Sequence, residues 1–289
     1  MMAVCLAWAL NVAISKILLS GYHIPPLFYA GLRFLLVALI LMPLLRPLPE
    51  RLGRVLYVGI LMGGAHFGLM FIGLQSATPS MTSIILQMAI PFSAVLSVCF
   101  LGEKMTPLRV AGIALALTGA IIMLYQADGH SAVLGLASVA GSAISLSVGS
   151  VALKRLGAIR PLQLQAWVAV VSALPLLILS ALTESGQVTA SLGGGWAFAA
   201  AVLFSIFVVT IWAHTSFFAV LQRYEVGVVM PLTLAMPLMT VALGVLLMDD
   251  PMNLRIATGI VLALVGVLLV QLSGSARAST APPCRPDGR

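Results

Sequence analysis

Ten uninterrupted apolar runs, most of them near twenty residues long, constrain this 289-residue chain more than any other feature. They cover approximately 2–20, 27–45, 55–74, 81–101, 108–125, 133–153, 161–182, 196–221, 226–248 and 254–272. An α-helix of about 20 residues crosses the roughly 30 Å hydrocarbon core of a bilayer. A barrel strand would instead alternate polar and apolar residues over about ten positions. Only 8% of the residues are charged, against about 25% in a soluble domain. So few charges cannot clothe a soluble surface, and the same hydrophobicity excludes disorder. The expected fold class is therefore an all-α integral membrane protein with ten transmembrane helices. Ten spans leave about 90 residues for loops and tail, too few for a separate soluble domain.

The breaks carry turn chemistry: Pro25-Pro26, Pro47 and Pro49, Pro79, Pro107, Asp128-Gly129, Pro161, Gly193–Gly195 and Pro251. The shortest separates spans eight and nine at Gln222–Glu225. The even-numbered loops and the C-terminal tail hold Arg46, Arg51, Arg54, Lys104, Arg109, Lys154, Arg155, Arg160, Arg223, Arg277, Arg285 and Arg289. These are 12 of the 15 basic residues, and the odd-numbered loops hold only Arg255. The positive-inside rule then puts both termini in the cytoplasm. It also assigns the net charge of +7 to orientation in the bilayer, and no nucleic-acid partner is expected. The N-terminus lacks a basic n-region and an A-x-A-like site, so it reads as the first span. The Ser-, Pro- and Arg-rich stretch 273–289 reads as a disordered cytoplasmic tail. Cys5, Cys99 and Cys284 are scattered, with neither a disulfide framework nor metal-ligand spacing.

The two halves echo each other. Ala89-Ile90-Pro91…Glu103…Leu108-Arg109 aligns with Ala235-Met236-Pro237…Asp249…Leu254-Arg255 at a constant offset, and GIALALTG (112–119) then matches GIVLALVG (259–266) at six of eight positions. Residues 1–126 and 127–272 would each contribute five spans. Five is odd, so the second half would run through the membrane in the opposite sense. Inverted repeats of this kind belong to secondary transporters, with the substrate site near the midplane between them. Exchange of conformation between two similar, opposed halves yields inward-open and outward-open states.

The Trp8…Asn11…Lys16 pattern, Ala30-Gly31-Leu32-Arg33-Phe34, the long segment 67–119 and its weaker echo at 217–266 carry a family resemblance. The chain resembles the drug/metabolite transporter superfamily, in its ten-helix form with paired EamA-like halves, over about residues 3–272. The Gly102-Glu103 step before a glycine-spaced helix is the most specific element, and Met248-Asp249 departs from it in the second half. The resemblance implies secondary export of small metabolites without ATP, and the bacterial inner (plasma) membrane as the expected location. The bacterial amino-acid exporters, including those for aromatic or other apolar amino acids, are the nearest branch. Drugs, nucleosides and organic anions are the alternatives within the same fold. A channel or membrane enzyme is a remote alternative.

Polar groups in hydrocarbon are costly, so each one in a span is a candidate. All eight acids lie in loops, in the tail or at span ends. A mid-membrane carboxylate relay is therefore not expected, which favours facilitation, exchange or coupling through a histidine. Lys16 and Arg33 are placed near the outer ends of spans one and two, either snorkelling or presenting a cation at the outer mouth. His66 lies near mid-depth of span three, and His214 nearer the cytoplasmic end of span eight. The expected substrate-binding set is Trp8, Asn11, His66, Gln87, Trp167, Trp212 and His214. Asn11 either bonds a neighbouring helix or faces the cavity. Trp8 and Trp167 either anchor at the headgroups or, with Trp212, form an aromatic wall. Pro91, Pro231 and Pro237 are the expected hinges, because each removes a helix hydrogen bond. Glycines 112, 119, 259 and 266 form a seam along which spans five and ten should pack. No H-E-x-x-H, G-x-S-x-G or P-loop pattern is present. No catalytic residue, metal site or cofactor is therefore expected. The partners are a small-molecule substrate and the lipid bilayer, with the chain a monomer or homodimer.

Overall fold

The structure is a computed structural model that describes residues 1–103, 105–126, 129–156, 159–224 and 226–278. Lys104, Asp128, Glu225 and the tail from 279 onward lie outside the described residues. Among those described, the secondary structure is helical throughout. Among the described residues, nine helices are long and apolar enough to cross a membrane: α1 (Met2–Gly21), α3 (Leu52–Ser76), α4 (Pro79–Phe100), α5 (Pro107–Tyr125), α6 (Gly129–Lys154), α7 (Pro161–Thr183), α8 (Gln187–Phe217), α9 (Val229–Leu247) and α10 (Leu254–Ser273). The expected second span is the shorter helix α2 (Pro26–Ile40), followed by a 3-10 turn at Met42–Leu45. The final helix runs on to Ala278, taking in the first six residues of the stretch 273–289 expected as tail.

Local chemistry sets the ends. Thr78 and Thr106 are N-caps whose hydroxyls accept from Met81 N and Arg109 N at 3.2 Å, each followed by proline. Gly102 ends the α4 helix with φ +68°, a left-handed cap that glycine adopts without strain. In the matching second-half loop, Asp249 takes φ +52°. Aspartate tolerates this region better than most residues. The Gly193–Gly195 run is a kink: Gly195 leaves the helical region at φ +48°, ψ −128°.

Two spans are broken at matched places. In α4 the turn falls at Gln87–Met88, and in α9 at Thr233–Leu234. Gln87, Met88 and Ile90 donate to carbonyls three residues back at 3.0–3.1 Å, as do Thr233, Leu234 and Met236. The cause is Pro91 and Pro237, whose rings clash with the carbonyl four residues earlier, at 87 and 233. Three other stretches loosen in the opposite direction, into π-helix: Ile17–Gly21 in α1, Ile60–Ala65 in α3 and Phe204–Ala213 in α8.

The buried apolar residues form two large clusters, and neither coincides with a sequence half. One joins α1, α2, α3, α7 and α8 through Leu18, Phe34, Phe71, Leu176 and Ile206. The other joins α4, α5, α6 and α10 through Ile84, Met123, Val139 and Ile260, with Leu234 from the break in α9. Helices of like position in the two halves pack on each other: α2 on α7, α4 on α9 and α5 on α10. Other pairs are reciprocal, with α1 on α8 and α6 on α3, and α1 on α9 and α6 on α4. The expected glycine seam is present. A Cβ on Gly112 would stand 2.8 Å from Gly266 O, and one on Gly259 would stand 3.1 Å from Gly119 O, so only glycine permits this approach.

Candidate functional site

Arg33 lies mid-way along α2 and is only 1% exposed, so it is not at the outer mouth where its sequence position suggested. Packing of α2 between α7 and α8 explains the depth. The Thr210 hydroxyl accepts from Arg33 Nη2 at 2.8 Å and Nε at 3.3 Å. The guanidinium carbon stands 4.8 Å from the centre of the Phe67 ring and 5.9 Å from that of Phe34. Among the described residues Arg33 has no carboxylate partner, and its Nη1 is buried without a hydrogen bond. A charge at the centre of a membrane helix costs about 2.5–3.5 kcal/mol on insertion scales. A desolvated cation–π contact returns up to about 2 kcal/mol. A charge-assisted hydrogen bond adds about 1.5–3 kcal/mol. These terms are of one size, so Arg33 is tolerated without an acid while Nη1 remains free for an incoming acceptor.

The π stretch of α8 organises the surroundings of Arg33. Thr210 donates its own proton to Ser205 O, five residues back, at 2.8 Å. Ser205 Oγ donates to Asn11 Oδ1 at 2.6 Å and lies 3.0 Å from the Tyr29 hydroxyl. Asn11 thus bonds a neighbouring helix, the first of its two expected roles. His214 directly follows the stretch, and its Nδ1 is 2.7 Å from Val209 O. A carbonyl only accepts, so Nδ1 carries the proton. The Trp8 ring lies 5.5 Å from His214 and 5.4 Å from Phe217. His66 follows the π stretch of α3 in the same way, but its Nδ1 reaches across to Ser142 Oγ on α6 at 2.7 Å. Its ring stacks edge-on with Phe67 at 4.7 Å, on whose other contact Arg33 sits.

The structure therefore brings Trp8, Asn11, Arg33, His66 and His214 into one connected region around α1, α2, α3 and α8. Other expected residues stand apart. Gln87 lies on the α4 break and Trp167 on α7. Trp212 is 45% exposed, with no ring contact to Trp8, His66 or His214 among the described residues. Lys16 is not free: its ammonium donates to Leu74 O, Gln75 O and Ala77 O at 2.8–3.1 Å. It caps the carbonyl end of α3, where helix dipole and unpaired carbonyls favour a cation. Acids cap the opposite kind of end. Glu184 accepts from Leu27 N and Phe28 N at the start of α2. Asp250, in the loop between α9 and α10 and only 8% exposed, accepts from Ser80 N at 2.9 Å and Ser80 Oγ at 2.5 Å.

Four of the expected residues share one property. Trp8 Nε1, Arg33 Nη1, Gln87 Nε2 and Trp167 Nε1 are buried and unpartnered, and all four are donors. Sequence reading missed Tyr29, Ser142, Ser205 and Thr210, the hydroxyls that position this region. One signal was available: Tyr29 and Arg33 are four apart on one helix face. No group of three or more metal-ligating side chains occurs among the described residues.

Comparison with known proteins places this geometry in a family. A probable amino-acid metabolite efflux pump of Salmonella typhimurium is 29% identical over 275 residues, covering 92% of this chain and 91% of that protein. The pump of the same description in Escherichia coli is 27% identical over 276 residues, with the same coverage. An uncharacterized transporter of Bacillus subtilis, YvbV, is 28% identical over 286 residues, covering 95% of this chain and 91% of its own. Among solved structures, a crystal structure is similar with a TM-score of 0.56 over 96% of both chains at 19% identity, a likeness of fold alone. The model of the EamA-like transporter family matches residues 1–125 and again 133–272. With both halves matched by one family of membrane transporters, not enzymes, the chain belongs to the EamA-like transporter family.

Proposed function

We propose that this protein is a secondary exporter of small metabolites, amino acids foremost, across the bacterial inner membrane. It works by alternating access between two inverted five-helix halves, 1–126 and 127–272, with both termini cytoplasmic. The double family match, the reciprocal helix packing and the paired breaks before Pro91 and Pro237 support two equivalent halves. The basic-residue asymmetry of the loops supports the orientation. The breaks supply hinges at corresponding points in each half, as rocking about a fixed central site requires.

The observation that carries the substrate reading is the buried, unpartnered Arg33 Nη1, with the unpartnered Trp8 Nε1 in the same region. A carboxylate is the natural acceptor for such a guanidinium. The rings of Trp8, Phe67 and Phe217 offer an apolar wall for a side chain. Counterflow of labelled amino acids in proteoliposomes tests this. Saturable exchange is expected, while absence of flux for any small metabolite refutes the transporter reading.

One observation favours a second substrate class. No span contains an acid that could meet an α-ammonium group. An organic anion would complement Arg33 with nothing left over, whereas a zwitterion must hand its ammonium to neutral acceptors such as carbonyls. Competition between an amino acid and its N-acetyl derivative in the same assay separates the two: preference for the free amino acid supports the first reading, preference for the blocked one the second.

A further inference from the structure

A crevice of about 350 Å³ opens between the ends of α3, α4 and α6, remote from Arg33 in the chain and built from different helices. Arg54 and Arg155 stand in its lining, and its walls include Tyr57, Phe100, Val148 and Val151. Tyr57 and Phe100 are 54% and 60% exposed, so their rings are open to a ligand in the crevice. The guanidinium groups are held by backbone. Arg54 Nη1 donates to Arg155 O at 3.3 Å, and Arg155 Nη2 donates to Phe100 O. Arg51 Nη1 adds a third cation, also on Arg155 O at 3.3 Å. Each arginine has five N–H donors, so these bonds leave most of them free.

No acid neutralises this group among the described residues. The carboxylate on the adjoining loop, Glu103, is committed to Arg109 at 3.1 Å and Lys154 at 3.3 Å. Burial pushes its carboxyl up, but these two cations outweigh burial and hold it below the usual carboxylate range. Glu103 is therefore ionised and occupied. The crevice lies at the end of the bundle that carries the loop arginines, the level of the lipid headgroups.

We infer that this crevice is a binding site for an anionic phospholipid, with the phosphodiester on Arg54 and Arg155 and an acyl chain along Tyr57 and Phe100. Charge complementarity and wall chemistry must both be met. A free phosphate would leave the apolar walls unused, and a neutral apolar ligand would leave the guanidinium groups unpaired. Basic pockets between transmembrane helices are where anionic headgroups dock. Because α3 and α4 belong to the first half of the chain and α6 to the second, one bound lipid would bridge the halves.

Native mass spectrometry of the purified full-length protein tests this, with phosphatidylglycerol and phosphatidylcholine of identical chains competing. The wild type should retain one phosphatidylglycerol in preference to phosphatidylcholine. The double variant R54Q/R155Q should bind it roughly 30-fold less tightly, from about 1 kcal/mol for each basic side chain near an anionic surface. R46Q, at an exposed arginine of the same end outside the crevice, should bind like the wild type. Equal retention of the two lipids by the wild type overturns the site, as does wild-type binding by R54Q/R155Q. An equal loss in R46Q also overturns it, by showing general surface attraction. Should R54Q/R155Q fail to elute as a single species, the wild-type competition and the R46Q control decide the question.

Discussion

Helices α3 and α8 hold corresponding places in the two halves, and each loosens into a π stretch that ends at a histidine. What the stretches do is different. In α3 the stretch Ile60–Ala65 is glycine-rich and serves close packing: Ser172 Oγ on α7 donates to Gly59 O at 3.2 Å, and a Cβ on Gly63 would fall 2.7 Å from Val168 Cγ1. His66 then spends its Nδ1 on another helix, at Ser142. In α8 the stretch Phe204–Ala213 is longer and carries hydroxyls, which hold Asn11, Tyr29 and Arg33, while His214 bonds within its own helix. Wide turns of this kind concentrate at functional sites. The contrast teaches that one local geometry can serve two ends: close packing in α3, and in α8 the placing of the side chains proposed to meet substrate.

The contrast can be broken by substitution. Thr210→Val removes both Arg33 bonds and the five-residue bond to Ser205, so counterflow should fall by about 10-fold or more, since hydrogen bonds to a charged group are worth about 1.5–3 kcal/mol. Gly63→Ala is the corresponding test in α3. It should lower thermal stability by an overpacking cost of about 1–3 kcal/mol while the folded fraction keeps its KM. Wild-type transport in Thr210→Val, or a raised KM in Gly63→Ala, would erase the distinction.

The histidines sharpen it. His214→Phe, beside Trp8, should raise KM for a ring-bearing substrate at unchanged expression. His66→Phe should act chiefly on stability, by about 1–3 kcal/mol, because it strands Ser142 Oγ. The loops give the smallest effect. Glu103 is partly exposed, and its depressed pKa means that its contribution is present above the usual carboxylate range and is lost as pH falls. Its repeat counterpart Asp249 is exposed and takes part in no ion pair among the described residues. Thermal scans from pH 7 to pH 4 should therefore show a small loss for the wild type, within the 0–1 kcal/mol of exposed pairs. The loss should disappear in Glu103→Gln and persist in Asp249→Asn.

The spans were legible because apolar length is a local property, and so were the breaks before Pro91 and Pro237, because proline acts on a carbonyl four residues away. The facing of the helices was not. A helix apolar on all sides carries no amphipathic signal to separate its lipid side from its core side. Hence Trp212 reads like Trp8 in sequence but is exposed, and Arg33 reads as an outer-mouth cation but is buried at mid-helix. The partners of Lys16 and Asp250 were illegible for a related reason: each caps the end of a helix distant in sequence, α3 and α4 respectively. The π stretches left no local mark, since a bond from residue i to i+5 is held by what packs around it. Only the five-residue spacing of Ser205 and Thr210 hints at one.

The central claim is that Arg33, held on the α8 stretch, receives the acceptor end of the substrate. Counterflow KM measured side by side for wild type, Arg33→Lys and Arg33→Gln tests it most directly. Loss of a charge-assisted contact of about 1.5–3 kcal/mol predicts a KM roughly 10- to 150-fold higher in Arg33→Gln, with partial recovery in Arg33→Lys. A folded Arg33→Gln protein with wild-type KM would contradict it.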